Sequence, residues 1–121
     1  MRRFVIGAAL PSLAACAAAG DAGAVREANE LAIACRYDAA LAAADRAMQG
    51  GGISGGVAQL QKVVILRDAG RRTEADAVLR ARNANPYVSA ENAADTEKAI
   101  RQSLSDLREE RFERTGSRTC S

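Results

Sequence analysis

Three groups of side chains in this 121-residue chain have the types and spacing to do chemistry. The first is Gly52-Ile53-Ser54-Gly55-Gly56, which satisfies the Gly-x-Ser-x-Gly pattern. Where that pattern sets a serine nucleophile, the serine sits on a strand-to-helix turn and needs a histidine base. The chain has no histidine, so Ser54 has no imidazole to activate it. The same absence removes His-based triads and His-ligated metal sites. The stretch also lacks the Gly-Lys-Ser/Thr ending of a phosphate cradle, and its expected form is a loop between helices. The second group is Glu109, Glu110 and Glu113. Paired carboxylates can do acid–base work in a cleft, but here they alternate with Arg108, Arg111, Arg114 and Arg118. That spacing reads as solvated i, i+4 pairs on an exposed helix end. No catalytic residue, cofactor or metal ligand is therefore expected. The third group is the three cysteines, Cys16, Cys35 and Cys120, whose thiols can accept a lipid or form a bridge.

The surroundings of Cys16 decide between those uses. Met1-Arg2-Arg3 is a positive start, Phe4 to Leu10 is a short apolar run, and small residues follow to Ala19. This is the pattern of an export signal, and the run is too short for a span of about 20 residues. Leu13-Ala14-Ala15-Cys16 resembles the lipobox of bacterial lipoproteins. The resemblance implies removal of residues 1–15, acylation of Cys16 and, with Ala17 rather than an aspartate after it, passage to the outer membrane facing the periplasm. Ordinary cleavage at Ala17-Ala18-Ala19 or at Ala22-Gly23-Ala24 is the alternative, and it would leave a soluble periplasmic protein. If Cys16 carries lipid, Cys35 and Cys120 remain as an even pair in an oxidising compartment. A bridge between them would close a loop over most of the mature chain.

Composition limits what such a domain can be. Apolar residues make up 48% of the chain, but 28 of its residues are alanine, so few large side chains are left to bury. A net charge of +2 and 3% aromatic residues give neither the basic footprint nor the stacking surface of a nucleic-acid binder. Periodicity predicts an all-α fold. After a flexible tether over 16–23, helices are expected from Ala24 to Cys35, Asp38 to Gln49, Val57 to Ala69, Thr73 to Asn83 and Ser89 to Thr115. Asp38 and Thr73 are the expected N-caps of the second and fourth helices. Gly70 and Gly116 are the expected stops of the third and fifth.

Cys35-Arg36-Tyr37-Asp38-Ala39-Ala40-Leu41 and Gly70-Arg71-Arg72-Thr73-Glu74-Ala75-Asp76 align 35 residues apart. Tetratricopeptide repeats have a period of about 34, and this pair resembles two degenerate units of that family. The first unit keeps Tyr37, Ala40 and Ala47, and the second keeps Gly70, Ala75 and Leu79. The departures are Cys35 for the turn glycine, Arg72 for the tyrosine, and Glu27 and Lys62 at apolar positions. The resemblance implies two helical hairpins over residues 24 to 86 and a long C-terminal capping helix, together forming one domain over 24–121. It also implies a peptide-binding groove on the first helix of each hairpin, with Asn29, Ile33, Val57, Leu60, Val64, Arg67 and Asp68 as its residues. The alternative is that Val57, Leu60 and Val64 are simply core.

The function expected is a lipid-anchored periplasmic module that binds a protein partner in the cell envelope, an adaptor or assembly factor rather than an enzyme. The partner calls are a protein and, through the N-terminal lipid, the membrane, with neither nucleic acid nor metal. A structural lipoprotein without a groove and a soluble periplasmic helical protein are the alternatives.

Overall fold

A computed structural model describes residues 20–120. The expected signal peptide and the lipid acceptor Cys16 lie outside the described residues. Within them the chain forms five helices and no strand: α1 (Gly20–Ile33), α2 (Tyr37–Gly50), α3 (Gly52–Asp68), α4 (Arg72–Asn83) and α5 (Ala90–Thr115). Short turns make α1–α2 and α3–α4 antiparallel hairpins, and α3 packs against all four other helices. Its central position follows from sequence. Val63, Val64, Ile65 and Leu66 are consecutive and all buried, so this half of α3 must be enclosed on every side rather than on one stripe. Alanines supply most of the facing surface. Ala28 and Ala32 of α1 and Ala40, Ala43, Ala44 and Ala47 of α2 are fully buried. They let the axes approach closely while adding little apolar area per residue.

The two hairpin turns share one geometry. Cys35 (φ 64°) and Gly70 (φ 77°) are both left-handed. In the first turn Cys35 N–H donates to Ala32 O at 3.0 Å and Arg36 N–H to Leu31 O at 2.8 Å. In the second, Gly70 N–H donates to Arg67 O at 3.0 Å and Arg71 N–H to Leu66 O at 2.8 Å. This double bond pattern closes a helix whose next residue is left-handed, a place that glycine fills without strain. Cys35 takes it with a side chain, and that side chain bridges to Cys120, with the two sulfurs 2.04 Å apart and the Cα atoms 5.6 Å apart. The 35-residue repeat is thus a repeat of backbone conformation as well as of residue type.

Several boundaries differ from expectation. The Gly50–Gly56 stretch is not a loop: only Gly51 (φ 71°) lies outside the helices, and α3 begins at Gly52. Gly51 and Gly52 (φ 66°), both left-handed, make the reversal between them. Gly55 lies in the helix close against the end of α2, where a Cβ would meet Met48 O at a tight 3.3 Å. Packing here overrides glycine's poor helix propensity. The Gly-x-Ser-x-Gly string consequently follows a helix, not a strand. The expected tether is also shorter, since α1 starts at Gly20. Neither Asp38 nor Thr73 is an N-cap. α2 and α4 start one residue earlier, after Arg36 and Arg71, which make no side-chain cap. Helices that continue directly from a tight turn take their start from the turn's geometry. Ser89 does cap α5, accepting from Asn92 N–H at 3.1 Å, and Gly116 (φ 81°) ends it.

The bridge and the left-handed position make separable contributions. Loss of a bridge that closes an 85-residue separation should lower stability by about 4–5 kcal/mol on the chain-entropy model. Among bridge-less proteins, Cys35→Gly/Cys120→Ser should be more stable than Cys35→Ser/Cys120→Ser by about 1 kcal/mol, because glycine relieves the left-handed strain. Urea unfolding of the three proteins measures both differences.

Candidate functional site

The described residues enclose one large apolar depression, a groove of about 780 Å³ between α1, α3 and α5. Val25, Asn29 and Ala32 form one wall, Val57, Leu60, Val64 and Ile65 a second, and Ala99, Ile100, Ser103 and Leu107 the third. Each wall runs for about two helical turns, roughly 12 Å. The α3 wall is one stripe at i, i+3 and i+4 spacing that rises out of the core. Val64 is 6% exposed, Leu60 partly buried and Val57 48% exposed. The charges on the α1 rim are largely engaged: Glu27 pairs with Arg46 at 2.7 Å and Glu30 with Arg114 at 2.8 Å. Arg114 holds the Glu30 carboxyl below its ordinary value. One wall group lacks a partner. Gln61 Nε2 donates to Val25 O at 2.8 Å, while its Oε1 is buried without a donor among the described residues.

Of the groove residues expected from sequence, the structure brings four to this depression: Asn29, Val57, Leu60 and Val64. The other three lie elsewhere. Ile33 is 2% exposed and packed in the core. Arg67 does not edge the groove, because its guanidinium is held by both oxygens of Glu97 on α5 at 2.8 and 2.7 Å. Asp68 is buried in an ion pair. The third wall, from α5, had no signal in the repeat pattern, which assigns the groove to the first helix of each hairpin only. The long last helix closes the assembly by lying across that same face.

What holds α5 there is Arg111. Grouped by sequence with the solvated charges of the last helix, it is instead 1% exposed. All five of its N–H donors are used. Nε donates to Ile33 O at 3.1 Å. One terminal nitrogen donates to Ala32 O at 2.7 Å and to Asp68 Oδ2 at 2.6 Å, the other to Asp68 Oδ1 at 3.3 Å and Arg118 O at 2.7 Å. The guanidinium thus reaches two carbonyls at the end of α1 and the carboxylate at the end of α3, both sites where a helix dipole favours a cation. Asp68 also accepts from Tyr37 Oη at 2.8 Å and Arg108 Nε at 3.1 Å. Burial pushes the Asp68 carboxyl up, but hydrogen bonds from Arg111, Tyr37 and Arg108 outweigh it and hold the carboxyl below its ordinary value. Burial and the Asp68 carboxylate raise the Tyr37 phenol to about 12. A sequence signal for Arg111 existed, since Ile100, Leu104, Leu107 and Arg111 follow one helical stripe. Phe112, the next residue, is 41% exposed and stacks under Arg118 with 4.1 Å from ring centre to guanidinium.

The cluster has the chemistry of a structural clamp: its donors and acceptors are matched to one another, and Asp68 is shut off from solvent. No group of three or more His, Cys, Asp or Glu side chains among the described residues could hold a metal ion. No described helix is long and apolar enough to cross a membrane.

Arg111→Met should destabilise the protein by about 3–5 kcal/mol, since it removes all five of these hydrogen bonds and leaves the buried Asp68 carboxylate with only Tyr37 and Arg108 as donors. Adding Asp68→Leu should restore part of that loss, and chemical denaturation of both proteins tests it. Tyr37 gives a pH signature. Its folded value of about 12 lies above the ordinary 10.0, so its contribution is complete below pH 10 and is lost as pH rises towards 12. In Tyr87→Phe protein, phenolate absorbance should titrate near pH 12, and adding Tyr37→Phe should remove that titration.

With the geometry in place, comparison adds no relative: no protein-family model, no curated protein and no solved structure matches this chain.

Proposed function

We propose that this chain is an exported, lipid-anchored module of the bacterial cell envelope that binds a partner protein through the groove between α1, α3 and α5. The groove itself carries this reading. It is an apolar depression of about 780 Å³, within the range of pockets that bind ligands, on a small domain that could otherwise have closed its core. The identical turns at Cys35 and Gly70 support the kinship with tetratricopeptide repeats, whose first helices line a binding face. The small-residue run ending in Cys16, behind the positive start and apolar run of residues 1–10, supports the lipid anchor.

The walls favour one form of partner. All three are helices whose backbone groups are already paired, so they offer no free edge to an extended strand. A peptide lying there extended would face apolar side chains with its own N–H and C=O groups unpaired. A helix brings a satisfied backbone, and two turns of wall match anchors at i, i+4 and i+7.

Photo-cross-linking in intact cells tests the proposal. A cross-linker placed at Val57, inside the groove, should capture one specific envelope protein, and the same cross-linker at Arg80 on α4 should not. Val57→Arg should reduce recovery of that partner by about tenfold or more, as expected when a charge enters an apolar site, with little change in melting temperature because Val57 is half exposed. Cys16→Ser should release the protein from membranes. Equal, unspecific capture at both positions would instead make this a structural lipoprotein without a dedicated groove, and membrane retention of Cys16→Ser would remove the anchor.

A further inference from the structure

The lipid anchor and the fold together constrain how the domain sits on the membrane. Only Ala17, Ala18 and Ala19 separate Cys16 from Gly20, where α1 begins. At full extension the two residues lie no more than about 14 Å apart. A headgroup layer is itself about 5–8 Å deep, so the end of the domain that carries Gly20 has almost no room to stand off from the bilayer.

The helix order fixes what else lies at that end. α1 runs away from it and α2 returns to it, so the Gly51 turn and the start of α3 are there. α3 runs away again and α4 returns, so the α4–α5 connection lies towards the same end. The opposite end holds the Cys35 and Gly70 turns, the end of α5 and the bridge to Cys120. The exposed large apolar side chains divide accordingly. Phe112, near the far end, is covered by the Arg118 guanidinium, and Val57 lines the groove. Ile53, at the start of α3, is 89% exposed, and Tyr87, in the α4–α5 connection, is 90% exposed. These two are the most exposed members of the set: Ile53 lies in the turn beside the start of α1, and Tyr87 follows α4, which runs back towards that end.

We propose that this end, formed by the start of α1, the Gly51–Ile53 turn and Tyr87, rests directly on the lipid bilayer, with Ile53 and Tyr87 seated at the boundary between headgroups and acyl chains. A tyrosine suits that boundary, because its ring is apolar and its hydroxyl stays hydrated. An isoleucine gains from leaving water. The short link to Cys16 keeps both side chains at high effective concentration next to the surface, so even weak individual contacts are made most of the time. The domain then stands on the membrane in one orientation, with the disulfide end pointing away. The inference rests on the lipid-anchor reading above.

The test uses the full-length protein as purified from cell membranes and reconstituted into phosphatidylethanolamine–phosphatidylglycerol vesicles doped with brominated phosphatidylcholine. The chain has no tryptophan, so Ile53→Trp, Tyr87→Trp and Thr73→Trp each carry a single depth reporter. Thr73 is exposed at the far end, and far-UV circular dichroism checks that all three proteins remain helical. The expected result is a blue-shifted emission for the reporters at 53 and 87, with quenching at least about twofold stronger than at 73. If the protein floats with the vesicles but all three reporters are equally unquenched, the docking proposal is overturned and the anchor stands. If the protein does not float with the vesicles, both are overturned.

Discussion

The arrangement depends on one buried cation. Arg111 sits where two helices end, and a helix end leaves carbonyls that need donors. Water cannot reach these, so the donors must come from the protein. A guanidinium supplies five in a rigid plane, and here they reach Ala32 O, Ile33 O, Asp68 and Arg118 O. Asp68 alone would be an unfavourable residue at the end of α3, buried at the negative pole of its own helix. Arg111 alone would be a desolvated charge. Each makes the other tolerable, and only in the presence of both hairpins. That mutual requirement links the end of α1, the end of α3 and the last turns of α5 at one point.

The groove is a consequence. With α5 pinned at its C-terminal end by Arg111 and along its length by the pair between Arg67 and Glu97, the last helix must cross the face of α1 and α3. It contributes few large side chains there. Ile100 and Leu107 are buried, while Ala99 and Ser103 are small and open to solvent. A helix held chiefly by charges and a disulfide need not fill the space beneath it, and the apolar stripe of α3 is left partly uncovered. Alanine-rich contact between α1 and α2 has the same economy: close approach with modest burial. The bridge from Cys35 to Cys120 compensates for a thin core by restricting the unfolded chain, at the expense of placing a side chain where the equivalent turn has glycine.

Much of the fold was legible in the residues. The 3.6-residue stripes located all five helices, Ser89, Gly70 and Gly116 marked termini, and the 35-residue offset located two equivalent turns. The cysteine pair was legible as well. Other features were not, for identifiable reasons. Gly50–Gly56 looks like a loop because glycine disfavours helix locally, yet Gly52–Gly56 opens α3, with Gly55 packed close against Met48 O at the end of α2. Arg111 looks solvated because its sequence neighbours are charged, although it continues the Ile100–Leu107 stripe. Arg67 and Asp68 fall on a groove only if the face of α3 is left free, and α5 covers that part of it.

The sequence by itself determined the local structure and the pairing of elements in a hairpin, because side-chain spacing and turn residues act over a few positions along the chain. It also determined the absence of histidine chemistry. Only the tertiary structure decided which charged residues are buried, where α5 lies, and which apolar positions stay uncovered. Those outcomes depend on groups far apart in sequence meeting at one place: Ile33 with Arg111, Tyr37 with Asp68, Arg67 with Glu97. No local pattern encodes such a meeting, since a stripe or a turn shows which face a residue occupies but not which distant residue it meets.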